Sequence, residues 1–265
     1  MIFAMSDIHG CLNELNKKLE LVDLSGSNKL IFIGDYIDYG PKSGQVLHKV
    51  YELQQQYGSD KVIALKGNHE AMLLEWVDEY KDFTPFIEES AFDSWLKTDA
   101  VHGYNAFKTL VSEKQFNEFL ELERESSFAH LNVAAVKMVM QENNDLINWI
   151  RAMESFYETD TQIFVHAGVD EEAEEYWKWG ASDEMFLWKF PVTFGHFYKT
   201  VIAGHIGTNE LAKNPVFHDI YHDKASHYYI DGSVYKQGKL LLLGFDENTG
   251  KYYQIEKHKM INCQR

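Results

Sequence analysis

At 265 residues with 45% hydrophobic content the chain is long enough to bury a full core. A formal net charge of −16 excludes a general nucleic-acid binder, because phosphate backbones are held mainly by surface lysine and arginine. Two cysteines, Cys11 and Cys263, lie at opposite ends and give neither a disulfide framework nor a zinc spacing, so a reducing compartment is expected. No signal peptide is visible and no apolar run reaches the length of about 18 residues needed to span a bilayer. The expectation is a soluble cytoplasmic protein with no membrane partner.

The apolar start at 1–5 reads as a strand, and an amphipathic helix follows near 11–22 with Leu12, Leu15 and Leu19 at helical spacing. A strand at 29–33, a helix at 43–57 and a strand at 61–65 complete a βαβαβ opening, which predicts an α/β fold. From about Glu70 to Asp160 the pattern is helical, with Trp76, Tyr80, Trp95, Phe107, Leu110, Phe119, Val136, Val139, Leu146 and Ile150 spaced to pack inward. This stretch predicts a helical cap or insertion at about 76–155 within a single domain spanning 1–265. The acidic run at 170–175 is expected as a solvated loop or first helical turn. Strands at 227–231, 239–245 and 251–257, joined by turns at 236–238 and 247–250, predict a second, more antiparallel sheet. His196, His218, His222 and His227 belong to that half and are expected at the surface or in packing.

Five short polar blocks follow apolar runs: Ser6-Asp7-Ile8-His9-Gly10, the stretch 34–40 with Asp35, Asp38 and Tyr39, Gly67-Asn68-His69-Glu70, His166-Ala167-Gly168, and Gly204-His205. Each therefore falls where a buried strand ends, which is where open α/β sheets place chemistry. Each block alone has an ordinary reading as a turn or helix cap, but their conjunction does not. Two divalent metals about 3.5–4 Å apart need a bridging carboxylate with imidazole and amide or carboxylate ligands around it. Asp35 is the natural bridge. Asp7 and His9 can bind one metal, and Asn68, His166 and His205 offer donors to the other. His69 is placed as proton donor to a leaving oxygen, with Asp38 holding its imidazole, while a metal-bound hydroxide attacks phosphorus.

The blocks resemble the signature of the calcineurin-like metallophosphoesterases, within them the phosphoprotein phosphatase branch that includes bacterial Ser/Thr phosphatases and diadenosine tetraphosphatases. The resemblance runs over about residues 1–245. It implies an αββα sandwich of two mixed sheets flanked by helices. It assigns Asp7, His9 and Asp35 to one metal, Asp35, Asn68, His166 and His205 to a second, and His69 with Asp38 to proton donation. Ile230-Asp231-Gly232-Ser233 resembles the family's late strand motif. Three departures from the pattern stand out. Ser6 replaces a glycine, Tyr39 stands where an arginine usually grips phosphate, and two further arginine slots hold Lys66, before the 67–70 block, and Phe190, in the segment 187–190 where Lys189 is the neighbouring cation. Tyr39, Lys66 and Lys189 are accordingly the candidate substrate contacts.

The expected function is a phosphomonoesterase similar to Ser/Thr protein phosphatases, acting on a phosphorylated protein or small phosphoester with two divalent ions, Mn first and Fe or Zn compatible. The alternative is a dinucleoside tetraphosphate hydrolase, in which a base could stack on Tyr39. A non-catalytic scaffold is the third reading, supported only by the missing arginines.

Overall fold

A computed structural model of the chain describes residues 1–82, 94–97, 102–257 and 259–264. Its opening follows the alternation in the sequence: β1 (Ile2–Met5), α1 (Leu12–Leu19), β2 (Lys29–Phe32), α2 (Ser43–Tyr57), β3 (Val62–Ala64) and α3 (Asn68–Lys81). Strands β1, β2 and β3 are parallel. The helical stretch forms α4 (Gly103–Leu110), α5 (Glu113–Glu125) and α6 (Phe128–Arg151). After it come β4 (Phe156–Glu158), β5 (Gln162–Val165), a 3-10 helix at Glu171–Tyr176, α7 (Asp183–Trp188), β6 (Thr200–Gly207) and α8 (Thr208–Leu211). The chain closes with β7 (Tyr221–His222), β8 (His227–Asp231), β9 (Leu243–Asp246), β10 (Lys251–Glu256) and β11 (Lys259–Asn262).

Two mixed sheets result, ordered β11-β10-β9-β1-β2-β3 and β4-β5-β6-β8-β7. The period-2 alternation of β1 decides which core each residue joins. Ile2 and Ala4, with Ile31, Ile33 and Ile63, meet Phe164, Ile202, Tyr228 and Ile230 between the sheets. Phe3 and Met5 point the other way, into a core shared with helical residues Leu15, Val46, Trp76, Phe107, Phe119 and Val139. The outer face of the second sheet packs Val165 and Val201 on Trp177, Phe186 and Phe197. Helix, sheet, sheet and a partly helical layer thus stack as an αββα sandwich. Helices α4 to α6 share the first core with α2 and α3, so the large apolar residues of this helical stretch are core.

Three expectations shift. The strand anticipated at 239–245 begins at Leu243, because the Lys239 amide closes a turn onto the Gly232 carbonyl at 2.9 Å. A terminal strand, β11, pairs with β10 although its exposed residues carry no apolar alternation. The acidic run is a 3-10 helix whose Glu171 faces inward, where Lys189 and His227 neutralise it. Among the described residues no helix is long and apolar enough to cross a membrane.

Candidate metal centre

The polar blocks converge because they follow β1, β2, β3 and β5 and, in β6, fall at the irregularity between Ala203 and Gly207, all toward the carboxyl ends of the strands. Loops 6–10 and 34–40 are laced together: Ile8 and His9 amides donate to the Asp35 carbonyl at 2.8 and 2.9 Å, and the Gly10 amide to Tyr36 at 2.8 Å. Glu70, in the first turn of α3, reaches back to accept the amides of Asp35 and Tyr36 at 2.9 Å, Gly67 at 3.0 Å and Ile37 at 3.3 Å. Glycine is required at two points. A Cβ on Gly34, whose φ is +85°, would lie 2.5 Å from Gly67 Cα, and one on Gly67 would lie 2.2 Å from Asp35 Oδ1. Asp7, His9, Asp35, Asp38, Tyr39 and His205 all adopt positive φ. Each such residue costs about 1–3 kcal/mol, and such strain collects at functional sites. Ser6 is not among them, so a side chain is tolerated there, and its hydroxyl donates to the Ile33 carbonyl at 3.2 Å.

Asp35 is at the centre. Its Oδ2 lies 3.4 Å from His166 Nε2, 3.5 Å from His9 Nε2 and 3.7 Å from His69 Nε2. Two groups of possible ligands, His9-Asp35-His69 and Asp35-His166-His205, share that carboxylate. Asp7 Oδ1 is 3.9 Å from His9 Nε2, and its carboxylate accepts the His205 amide at 3.1 and 3.2 Å. The Asn68 carbonyl oxygen lies 2.7 Å from His166 Nε2 and 3.1 Å from His205 Nδ1.

The donor set fits divalent cations. His9 Nδ1 and His166 Nδ1 each face a backbone carbonyl, Ile37 at 2.8 Å and Ile33 at 2.9 Å. A carbonyl only accepts, so Nδ1 carries the proton and a neutral ring turns its Nε2 lone pair toward Asp35. Lone pairs from imidazole, carboxylate and amide therefore converge on the same space, an arrangement a cation resolves. The field agrees. Burial holds His9 at about 3 and His205 at about 4, keeping these rings neutral. His166 differs: burial pulls it down, yet Asp35 and Asp7 outweigh it and raise the ring to about 10, so with no cation present a proton on Nε2 is favoured in the position where a cation would take that lone pair. Asp231 is buried against the same cluster, and desolvation lifts its carboxyl to about 6.

His69 Nδ1 meets Asp38 Oδ2 at 2.7 Å, and the Trp95 indole N–H donates to both Asp38 oxygens at 3.1 and 3.2 Å. Burial lowers His69, but Asp35 and the Asp38 hydrogen bond prevail and set it at about 9. Of the three candidate substrate contacts, Tyr39 lies at the site, 4.9 Å from the His9 ring and 5.3 Å from that of His69. Lys66 lines a groove of about 610 Å³ with Glu75, Asp183, Glu184 and Trp188. Lys189 is occupied elsewhere: its stem crosses Gly168 and its ammonium binds the Val169 carbonyl, Glu171 and the Thr193 hydroxyl. A half-buried ammonium needs such partners, and they draw it away from substrate.

Sequence reading missed Trp95, which holds Asp38 from 57 positions away, and Tyr235, whose ring stacks on Tyr39 at 4.1 Å and 7°. Neither lies in a polar block. Tyr235 stands four residues after Asp231, so the late strand motif was the one available signal.

Residues 1–209 match the family model described as calcineurin-like phosphoesterase. The chain is 37% identical over 73 residues to the symmetrical bis(5'-nucleosyl)-tetraphosphatase of Wigglesworthia glossinidia brevipalpis, covering 27% of this chain and 25% of that one. It is 36% identical over 69 residues to a Caenorhabditis elegans protein provisionally named a serine/threonine-protein phosphatase, covering 26% and 19%. The matched segments thus span about a fifth to a quarter of the length of these relatives. A cold-active protein tyrosine phosphatase from a psychrophilic Shewanella shares the fold, with a TM-score of 0.55 at 16% identity over 99% of this chain and 80% of that one.

Proposed function

The chain belongs to the calcineurin-like phosphoesterase family, and from that premise we propose that it is a phosphoester hydrolase acting on phosphomonoesters through a two-metal centre, in the manner of a Ser/Thr protein phosphatase. The observation that carries this reading is the Asp35 carboxylate, common to two clusters of possible ligands, of which we keep His69 as proton donor and take Asp7, 3.9 Å from His9 Nε2, in its place. Asp7, His9 and Asp35 would hold one cation, and Asp35, Asn68, His166 and His205 the other. Bound there, the two cations supply Lewis acidity to the phosphoryl oxygens and make a water acidic enough to attack.

The chain's own residues do the rest. His69 keeps a proton because the Asp38 carboxylate on its Nδ1 opposes its loss, and it can deliver a proton from Nε2 to the departing oxygen. Asp38 fixes the ring by its Nδ1, and Trp95 fixes Asp38. Glu70 sets the loop that presents Asp35. Imidazole, carboxylate and amide donors accept Mn, Fe and Zn alike, with Mn our first choice, and a cytoplasmic setting is part of this proposal.

The second reading, a dinucleoside tetraphosphate hydrolase, draws on the tyrosine wall beside His9 and His69, which offers aromatic surface to a base. Hydrolysis of a phosphopeptide and of a dinucleoside tetraphosphate, measured side by side in Mn²⁺ with Asp35→Asn as control, separates the two. Selective phosphopeptide turnover supports the first and selective dinucleotide cleavage the second. Inactivity on both contradicts both and favours a scaffold.

A further inference from the structure

One wall of the metal centre is aromatic and carries a cation. Tyr39 and Tyr235 stack with ring centroids 4.1 Å apart, and the His9 imidazole stands edge-on to each at 4.9 Å. Each phenol of the stacked pair has one proton to donate. Both rings are half-buried, and the pair is held from both sides of the chain. Tyr39 is set by its positive φ in the Asp35 loop. Tyr235 sits in a turn bracketed by Ser233 and Gln237, both at positive φ. In that turn the Ser233 amide donates to Asp231 Oδ1 at 2.7 Å, and the Ser233 carbonyl receives the Lys236 and Gly238 amides at 3.0 and 3.1 Å. Val234 anchors the turn in the core.

Lys236 completes the wall. Its ammonium stands 5.2 Å from the Tyr235 ring centroid, and it is exposed. No carboxylate forms an ion pair with it among the described residues. The Tyr235 ring it stands over stacks on Tyr39 and meets the His9 imidazole, which places it beside the site. The other two lysines near the centre differ from it. Lys189 ends on Glu171, and Lys66 shares its groove with Glu75, Asp78, Asp183 and Glu184.

We propose that Tyr39, Tyr235 and Lys236 are the phosphate-recognising rim of this site, with a tyrosine O–H donating to one phosphoryl oxygen and the Lys236 ammonium pairing with its charge. The inference rests on the phosphoester reading above for the identity of its ligand. It makes recognition depend on two hydroxyls and one mobile ammonium rather than on a rigid guanidinium fork. Both contacts are charge-assisted because the phosphate is ionised, and Lys236 adds a formal positive charge that the phenols lack. Because the rim is placed to touch the phosphate and supplies neither a metal ligand nor the proton donor, it acts on binding more than on the chemical step.

The test is binding of inorganic phosphate to the Mn²⁺-loaded protein by calorimetry, with hydrolysis of an aryl phosphate followed on the same samples. Lys236→Gln is expected to weaken phosphate by about tenfold, and Tyr235→Phe, which keeps the stack, by several-fold. Both should raise KM with kcat nearly kept, while Lys213→Gln, an exposed lysine remote from the wall, changes nothing. Equal phosphate affinity in wild type, Lys236→Gln and Tyr235→Phe overturns the inference, as does a wild type that does not bind phosphate. Phosphate binding that depends on the rim without any hydrolysis leaves the inference standing and removes the phosphoesterase reading. Hydrolysis with a rim-independent affinity does the reverse.

Discussion

His69 Nδ1 stands 2.7 Å from Asp38 Oδ2 with both side chains buried, so the imidazole that faces Asp35 through Nε2 is held in one orientation by a carboxylate on the far side of its ring. Replacing Asp38 with Asn keeps the shape and removes the charge. Asp38→Asn is expected to lower kcat by about 10–100-fold, the usual cost of losing an orienting partner, with Mn²⁺ content unchanged. Trp95→Phe should show a smaller loss of the same kind, because it removes one donor to that carboxylate. Steady-state kinetics with an aryl phosphate checks both, and a kcat equal to wild type in Asp38→Asn would remove His69 as the proton source.

The close approach of Gly34 and Gly67 makes a second prediction. Gly34→Ala puts a Cβ 2.5 Å from Gly67 backbone and demands positive φ from alanine, so the loop carrying Asp35 must move. The variant should fold poorly or lose metal, by several kcal/mol on a scale where loss of such a special backbone position is among the largest single effects. Gly26→Ala, also at positive φ but with nothing within 4 Å, isolates the backbone strain from the clash and should cost far less. Chemical denaturation of the two variants measures the difference.

His227 gives a pH dependence away from the metals. It is buried with Nδ1 2.7 Å from Asp223 and Nε2 3.4 Å from Glu171, and Lys189 and the Thr193 hydroxyl complete the group around Glu171. Burial lowers its pKa, but the two carboxylates outweigh that and raise it above its ordinary value. A histidine raised in the folded state stabilises fully below its unfolded pKa of about 6.5, and that contribution is lost as pH rises through the folded pKa. Asp223 and Glu171 are both held below their usual range, so they stay ionised where the imidazolium needs them. The Tm gap between wild type and His227→Gln should therefore be widest near pH 6 and shrink toward alkaline pH. A gap that widens with pH would contradict this charge assignment.

Helices α4 to α6 should behave as core. Phe107 is fully buried and packs on Phe119 at 4.7 Å in the cluster that also holds Met5 and Phe32 of the first sheet. Phe107→Ala is expected to cost about 3–5 kcal/mol of global stability, measured as a shift of the single denaturation midpoint. An early, separate transition would instead make the helices an independent layer.

These relationships divide according to how local they are. The βαβαβ opening was legible because its strands are short apolar runs flanked by turns, and α2 spans the expected 43–57. The edge position of Asp7, Asp35, Asn68, His166 and His205 followed from the same runs, since a polar block after a buried strand has only one end of the sheet to occupy. Long-range pairings left no such trace. Tyr39 and Tyr235 are far apart in sequence, and Trp95 reads as one more core aromatic until its indole is seen to donate to Asp38. Glu171 looked solvated inside a run of carboxylates, yet only folding brings Lys189 and His227 to it. The start of β9 was misplaced because Leu240, Leu241 and Leu242 are as apolar and buried as a strand, while β9 itself begins at Leu243.

The most direct test of the account is titration of metal-stripped protein with Mn²⁺, wild type beside Asp35→Asn. A carboxylate shared by both ligand groups predicts two equivalents bound by the wild type and weakening of both in the single variant. One equivalent in the wild type, or two that survive Asp35→Asn unchanged, would contradict a centre built around Asp35.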